Sequence, residues 1–170
     1  YRPPPGADVA PLMLRFCDWM KETFRYEEGR QSFSDQVLQA IVAHVYLAMI
    51  HPFGDGNGRT ARLVEFYILL RAGLPDIASH ILSNHYNDTR QEYYRQLDLC
   101  VRERDLSGFV RYAVLGFRDG LRNVLEVVQG NLLETSWHKL IYDILDSRKA
   151  TGKTRAIVKR RRTLALQFPV

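Results

Sequence analysis

The stretch His51-Pro52-Phe53-Gly54-Asp55-Gly56-Asn57-Gly58-Arg59-Thr60-Ala61-Arg62 lies between two apolar runs, Ala40 to Ile50 and Leu63 to Leu70. Pro52, Gly54, Gly56 and Gly58 break any regular element. The arrangement predicted is therefore helix, polar loop, helix, with the loop held between two buried elements. The upstream helix, about 34–50, carries Val37, Leu38, Ile41, Val42, Val45, Tyr46, Met49 and Ile50. It is apolar over much of its circumference and reads as the central helix. Ser32, with Asp35 three residues later, forms a capping-box pattern at its start. The downstream helix begins near Asn57 to Arg59 and ends at Gly73, with Pro75 just beyond.

Outward from this pair, Val9, Leu12, Met13, Phe16, Trp19 and Met20 recur at helical spacing and predict an amphipathic first helix running to about Phe24. Tyr26 to Gln31 is charged, contains Gly29 and reads as a loop. Asn87 or Asp88 caps a later helix that runs to about Arg104. Leu106 to Leu125 is again periodic, interrupted by Gly116 and Gly120. Leu133 to Leu145 predicts a last core helix. No strand alternation of useful length, internal repeat or low-complexity tract occurs. The fold expected is an all-α bundle of six to eight helices, with the polar loop between the two central ones.

A hydrophobic fraction of 46% and an aromatic fraction of 11% are ample for a core. At 170 residues the chain fits one ordinary domain with room for a small appendage. Cys17 and Cys100 each lie in an apolar helical pattern and read as reduced core thiols, which suits a cytoplasmic protein. No apolar run reaches the roughly 18 to 20 residues of a membrane span, so no membrane association is expected. Tyr1-Arg2-Pro3-Pro4-Pro5 is neither a signal peptide nor a start with methionine, and sequence upstream is expected. The net charge of +5 is uneven: after Asp146 there are eight basic residues, Arg148, Lys149, Lys153, Arg155, Lys159, Arg160, Arg161 and Arg162, and no acidic one. Residues 1–146 alone carry −3. The basic end reads either as a solvated tail or as a nucleic-acid contact.

The loop itself has the parts needed to hold a nucleotide polyphosphate. Glycines at 54, 56 and 58 let successive N–H groups converge into an anion-binding nest, which opens directly into a helix N-terminus. Arg59 and Arg62, three residues apart, emerge on one face near that terminus. Two guanidinium groups over a nest suit a di- or triphosphate. Asp55 is a hard carboxylate beside the phosphates, and one carboxylate with phosphate oxygens and water is the usual way to hold Mg²⁺. His51 has the pKa range of a general base. The loop is not a P-loop, since it joins two helices and has no lysine. Nor is it a zinc site, since His51 and Asp55 lack a third ligand at suitable spacing and His44 lies two turns back.

These residues resemble the signature of the Fic family, His-x-Phe-x-(Asp/Glu)-Gly-Asn-Gly-Arg-x-x-Arg. Each of its fixed positions is met, by His51, Phe53, Asp55, Gly56, Asn57, Gly58, Arg59 and Arg62. The resemblance covers roughly residues 1–125. Tyr1 to Met13 resembles the end of the family's flap and the helix after it, which would place the rest of the flap upstream. Asn87 to Leu97, with Tyr93 and Tyr94, resembles the segment that closes the adenine pocket. Asp105 to Val110 resembles a later core helix. The domain division expected is 1–128 for the Fic domain and 129–170 for a C-terminal helix and basic segment, which could begin a winged-helix domain.

The resemblance implies a protein adenylyltransferase: a nucleotidyltransferase that moves AMP from ATP, with Mg²⁺, to a Ser, Thr or Tyr hydroxyl of a target protein and releases pyrophosphate. It assigns His51 as base and Asp55 as metal ligand. Gly56, Asn57 and Gly58 would cradle the phosphates, Arg59 and Arg62 would hold the β/γ end, an inward-pointing Phe53 would anchor the loop, and Tyr93 and Tyr94 would line the adenine pocket. From spacing alone, one tyrosine of that pair is core and the other surface. Gly58 separates this chain from the Doc-type toxin kinases, which carry a lysine near that place. Val101 stands where several relatives have an asparagine against the adenine. Self-inhibition in the family uses Ser/Thr-x-x-x-Glu-Gly/Asn, whose glutamate pairs with the second motif arginine, here Arg62. No stretch of this chain matches; the nearest, Thr23 to Glu27, is followed by Glu28. An inhibitory helix would then lie upstream or on an antitoxin-like partner. The alternatives are a DNA-binding regulator that uses the Fic domain as a nucleotide sensor, and a related transfer such as UMP or phosphocholine. His44, His80, His85 and His138 show no partner pattern, and Arg62 has Glu65 three residues on as an alternative partner.

Overall fold

The computed structural model describes residues 3–23, 32–146 and 152–166, which form eight α-helices and, among the described residues, no strand. The helices are α1 (Gly6–Thr23), α2 (Phe33–Ile50), α3 (Asn57–Arg71), α4 (Asp76–Ser79), α5 (Ile81–Asp88), α6 (Arg90–Glu103), α7 (Ser107–Asp146) and α8 (Gly152–Ala165). The all-α reading is borne out. The loop expected at Tyr26 to Gln31 and the near-match at Thr23 to Glu27 fall largely outside the described residues. The chain divides into two compact units, residues 1–121 and 122–170.

In the first unit α2 is the central element. Its capping box forms as read: the Ser32 hydroxyl oxygen accepts from the Asp35 N–H, and the Asp35 carboxylate accepts from the Ser32 N–H at 3.2 Å. Val37, Ala40, Ile41, Ala43, Val45, Leu47 and Ile50 are buried. Ala40, Ala43 and Ala61 are fully enclosed, and small side chains there let α2 and α3 pack closely. By length and composition α2 also reaches the minimum for a membrane span, which the sequence reading did not anticipate. Its apolarity is accounted for by its place in the core, packed against α1 and α3. Trp19 of α1 meets the Tyr46 ring edge-on, with centroids 5.3 Å apart.

Three expectations change. The interval between Pro75 and Asn87 is helical: it holds α4 and α5, so Asn87 and Asp88 end α5 rather than cap α6. The N-cap of α6 is Thr89, whose hydroxyl donates back to the His85 carbonyl at 2.6 Å instead of capping forward. Gly116 and Gly120 do not interrupt α7. A β-carbon at Gly116 would overlap the His85 ring, and one at Gly120 would overlap Ile81. These glycines, one turn apart, let α7 lie directly on α5, and that packing outweighs their poor helix propensity. Third, Cys100 is buried but Cys17 is exposed, so only one thiol belongs to the core.

In the second unit, the Trp137 indole N–H donates to the Ala165 carbonyl at 3.3 Å, and the Arg162 guanidinium lies 4.8 Å from the Tyr142 ring centre. Leu133 to Leu145 was expected to be a separate core helix. It is instead the end of α7, where Ile141 is buried while Leu133, Leu140 and Ile144 are exposed. Helical periodicity there marks a helix face without marking a core.

Candidate active site

The polar loop begins where α2 stops. His51 is the C-cap of α2 and holds a left-handed backbone, φ 53° and ψ 56°, with its N–H donating to the Leu47 carbonyl at 3.1 Å. A β-carbon-bearing residue in that region costs roughly 1–2 kcal/mol relative to an ordinary helical one, and glycine is the usual occupant. Strain of this sort persists where the surroundings impose it, and it gathers at functional positions. The His51 Nδ1 lies 3.4 Å from the Ala48 carbonyl. With Nδ1–H turned to that carbonyl, Nε2 carries the lone pair.

The loop closes through Asn57. Its buried carboxamide accepts from the Phe53 N–H at 2.8 Å and donates to the Phe53 carbonyl at 2.6 Å. Both polar groups of Phe53 are thereby satisfied. Phe53 is nonetheless 49% exposed, contrary to the inward-pointing anchor that the resemblance implied. Loop anchorage here is by hydrogen bonding, and Asn57 supplies it. Asn57 can still offer its backbone N–H, the second N–H of its carboxamide and a remaining oxygen lone pair to a ligand.

α3 starts at Gly56, whose φ of 86° is left-handed and whose cap has no side-chain hydrogen bond. The first N–H groups of α3 are thus left without a capping side chain, at the positive end of the helix dipole. Asp55 folds over the rim of this nest. One of its oxygens accepts from the Gly56 N–H at 2.6 Å and the other pairs with Arg59 at 2.8 Å. Asp55 and Arg59 are both largely exposed. Among the described residues no three His, Cys, Asp or Glu side chains gather as a metal cluster. A lone exposed carboxylate beside a nest fits a cation that brings its remaining oxygen ligands from a polyphosphate and water, as Mg²⁺ does.

A cavity of about 470 Å³ opens beside this loop. His51, Asn57, Gly58 and Arg62 line one side, and Tyr93, Tyr94, Leu97, Asp98 and Val101 of α6 line the other. Six of the site residues read from the sequence thus share one cavity. Asp55 and Gly56 of the loop and Arg59 of α3 do not line it, and Phe53 is not among its walls. Leu97 ends the segment Asn87 to Leu97 read as closing the pocket, whereas Asp98 is a wall that sequence reading missed; it comes one helical turn after Tyr94, which is the signal that would have found it. Tyr93 is buried and Tyr94 is 55% exposed, the core-and-surface split expected of adjacent helix positions. The guanidinium of Arg90 lies 5.8 Å from the Tyr94 ring centre.

Behind the cavity wall is a buried polar group that the sequence did not reveal. His44 and Glu65 are both almost fully enclosed. Glu65 accepts from the Tyr86 hydroxyl at 2.9 Å and lies 3.3 Å from His44 Nδ1; His44 Nε2 lies 3.0 Å from the Tyr93 hydroxyl oxygen. Burial first of all, reinforced by Glu65, pushes the Tyr86 hydroxyl well above its ordinary pKa. Burial does the same to Tyr93, with Arg62 opposing. Both phenols therefore keep their protons, and Tyr86 donates its own to Glu65. The Glu65 carboxylate is turned into the core, so it does not take the place of a ligand on Arg62. Among the described residues Arg62 forms no ion pair, and its guanidinium lies near Gly58.

Residues 1–69 match the model of the Fic/DOC family. Over this stretch the chain is similar to the Fic family. Over 110 residues, 65% of this chain and 20% of that protein, it is 39% identical to the protein adenylyltransferase Fic of Drosophila willistoni. Identity is 40% over 111 residues to the protein of the same name from Culex quinquefasciatus, covering 65% of this chain and 19% of that one. It is 38% over 110 residues, covering 65% and 20%, to that of Drosophila melanogaster. The chain thus spans about one fifth of the length of the curated relatives it matches. No solved structure is a significant match.

Proposed function

We propose that this Fic domain is a protein adenylyltransferase that uses ATP and Mg²⁺ to place AMP on a Ser, Thr or Tyr hydroxyl of a target protein. The observation that carries this reading is one cavity walled by His51, by the Arg62-bearing N-terminus of α3 and by Tyr93 and Tyr94. A base, a polyphosphate cradle and an aromatic wall for a nucleobase meet there. Adenylyltransferase is also the name that the relatives carry.

His51 Nε2 takes the proton from the target hydroxyl. The oxygen then attacks the α-phosphorus in line, its new P–O bond forming as the bond to the β-phosphate oxygen breaks, and pyrophosphate leaves with the electron pair. Arg59, Arg62 and the free N–H groups of α3 hold the negative charge of the β/γ end. Such catalysis is mostly positioning and charge stabilisation. Asp55, released from Arg59, would hold Mg²⁺, which supplies charge neutralisation between phosphates when bound.

Incubation with α-labelled ATP and Mg²⁺, in the presence of protein from the source cell, tests this. Label should remain on protein with the wild type and fall by the 10²- to 10⁴-fold typical of a lost general base in His51→Ala. Equal labelling by both would sink the role of His51. A competition series with the other nucleoside triphosphates and with a phosphocholine donor separates AMP transfer from UMP or phosphocholine transfer.

A second reading, duplex DNA binding by a chain that uses the Fic domain as a sensor, draws on the exposed Lys159, Arg160 and Arg161 of α8. Its signature is binding that weakens steeply with salt. Absence of any binding at low salt removes it.

A further inference from the structure

The groups buried behind the cavity determine one another's hydrogens. His44 Nδ1 is enclosed, 3.3 Å from a Glu65 oxygen, and has no well-aligned hydrogen-bond partner among the described residues. A bare nitrogen lone pair facing a carboxylate oxygen at that distance would be repelled, so the proton belongs on Nδ1. A neutral imidazole with Nδ1–H has an acceptor at Nε2. The group 3.0 Å from Nε2 is the Tyr93 hydroxyl, which burial keeps protonated. Tyr86 donates to the other Glu65 oxygen. Tyr93 to His44 to Glu65, with Tyr86 to Glu65, is then a chain in which each hydrogen points toward a single buried carboxylate. Each polar atom has one consistent role, which is the condition for a buried network to rigidify its surroundings.

The network joins the wall of the cavity to the two central helices. His44 lies on α2 two turns before His51, Glu65 on α3 one turn after Arg62, and Tyr93 on α6 at the cavity. The rings of His44, Tyr86 and Phe109 enclose it, with centroids 4.9 to 6.1 Å apart. We propose that Glu65 and His44 are positioning residues of the nucleotide site: Glu65 holds His44 as the Nδ1–H tautomer, and His44 in turn pins the Tyr93 hydroxyl and so sets the aromatic wall. The proposal rests on the adenylyltransferase reading for the identity of the ligand, but not for the tautomer. Neither Glu65 nor His44 touches the ligand. The chemistry they serve is stacking of a purine ring against Tyr93.

The test is nitrogen-detected NMR of the His44 ring in the full chain, with calorimetric titration of ATP into wild type, Glu65→Gln and Tyr93→Phe. In the wild type, the proton is expected on Nδ1. Glu65→Gln keeps the shape but offers an amide donor to Nδ1, so the proton should move to Nε2 and reverse the bond to Tyr93. Both variants should bind ATP about 2- to 10-fold more weakly, the worth of one hydrogen bond. The double variant should lose little more than either single, because both act through one contact. A wild-type proton on Nε2 overturns the proposal. So does a Glu65→Gln protein whose thermal stability falls while its ATP affinity is unchanged, which is the mark of a merely structural role. Should Glu65→Gln fail to fold, Tyr93→Phe, which removes only a hydroxyl, decides in the same way. If the wild type binds no ATP, the adenylyltransferase reading fails, whereas the network is still read from the His44 tautomer and from slow flipping of the Tyr93 ring.

Discussion

Asp55 and Arg59 pair across one turn at the start of α3, 2.8 Å apart, with side chains 93% and 72% exposed. The acid read as the metal ligand and the first arginine of the motif therefore neutralise each other in the free protein. An exposed pair of this kind contributes roughly 0–1 kcal/mol, so a polyphosphate and its cation separate it at little cost. Asp55→Ala should leave the thermal midpoint nearly unchanged. It should abolish the part of ATP binding and of label transfer that depends on Mg²⁺. A variant whose Mg²⁺ dependence matches the wild type would remove Asp55 from the metal site.

Arg62 has its neighbouring carboxylate, Glu65, turned away from it and bonded to Tyr86. If its guanidinium grips the γ end, Arg62→Ala should weaken ATP by about 10- to 150-fold, the range of a charge-assisted bond of about 1.5–3 kcal/mol, and AMP by little. Titration of both nucleotides into both proteins gives the ratio. An unchanged ratio would refute the γ-phosphate role.

Gly56 and Gly58 should separate backbone strain from ligand approach. Gly56 sits at φ 86°, and its β-carbon would stand 3.4 Å from the Arg59 guanidinium. Gly56→Ala should therefore cost about 1–2 kcal/mol in denaturant melts. At Gly58 the nearest atom to an added β-carbon is Arg62 Nη1 at 3.6 Å, an ordinary contact. Gly58→Ala should hold or raise stability, as glycine-to-alanine changes inside helices do, while weakening ATP because the methyl group faces the cavity. The reverse order of stabilities would show that the loop backbone is not held as described.

Gly116 is a contact residue of α5 and α7. Alanine there improves helix propensity by about 1 kcal/mol but overlaps the His85 ring, and overpacking costs about 1–3 kcal/mol or more. Gly116→Ala should be net destabilising, and adding His85→Ala should recover much of the loss. A Gly116→Ala protein more stable than wild type would disprove the close approach of the two helices.

His85 should also leave a trace in the pH dependence of folding. Burial lowers its pKa below 6.5, against smaller raising effects of Asp88 and Asp119. Between the ordinary value and the lowered one, the unfolded chain binds more protons than the folded chain. The stability tied to the neutral ring is therefore complete above about pH 6.5 and declines as pH falls toward the folded pKa. Denaturant melts from pH 7 to pH 5 should show this slope, and His85→Gln should flatten it. Parallel slopes in the two proteins would assign it to other groups.

The loop and its helices were legible because their information is local. Three glycines, a proline and two arginines within twelve residues constrain the backbone and place like charges on one helix face. The capping box of Ser32 and Asp35 is similarly a four-residue affair, and it appears as read. The misread features depend on partners far along the chain or on side-chain bonds that spacing does not specify. Gly116 and Gly120 look like breakers until α5 is placed against them. Phe53 looks like an anchor until Asn57 is seen to close the loop by hydrogen bonds. Leu133 to Leu145 repeats like a buried helix, yet periodicity specifies a face and not what covers it.

By itself, the sequence determined the all-α class, the order of the central elements and the composition of the motif, because helix propensity, capping and turn chemistry act over a few residues. The tertiary structure alone decided that Tyr93, forty-nine residues from His44, supplies the hydroxyl beside its Nε2. It alone turned Glu65 inward toward His44 and Tyr86 and away from Arg62. A buried carboxylate is tolerable only where donors converge on it from other helices, and no local pattern of residues records which helices those will be.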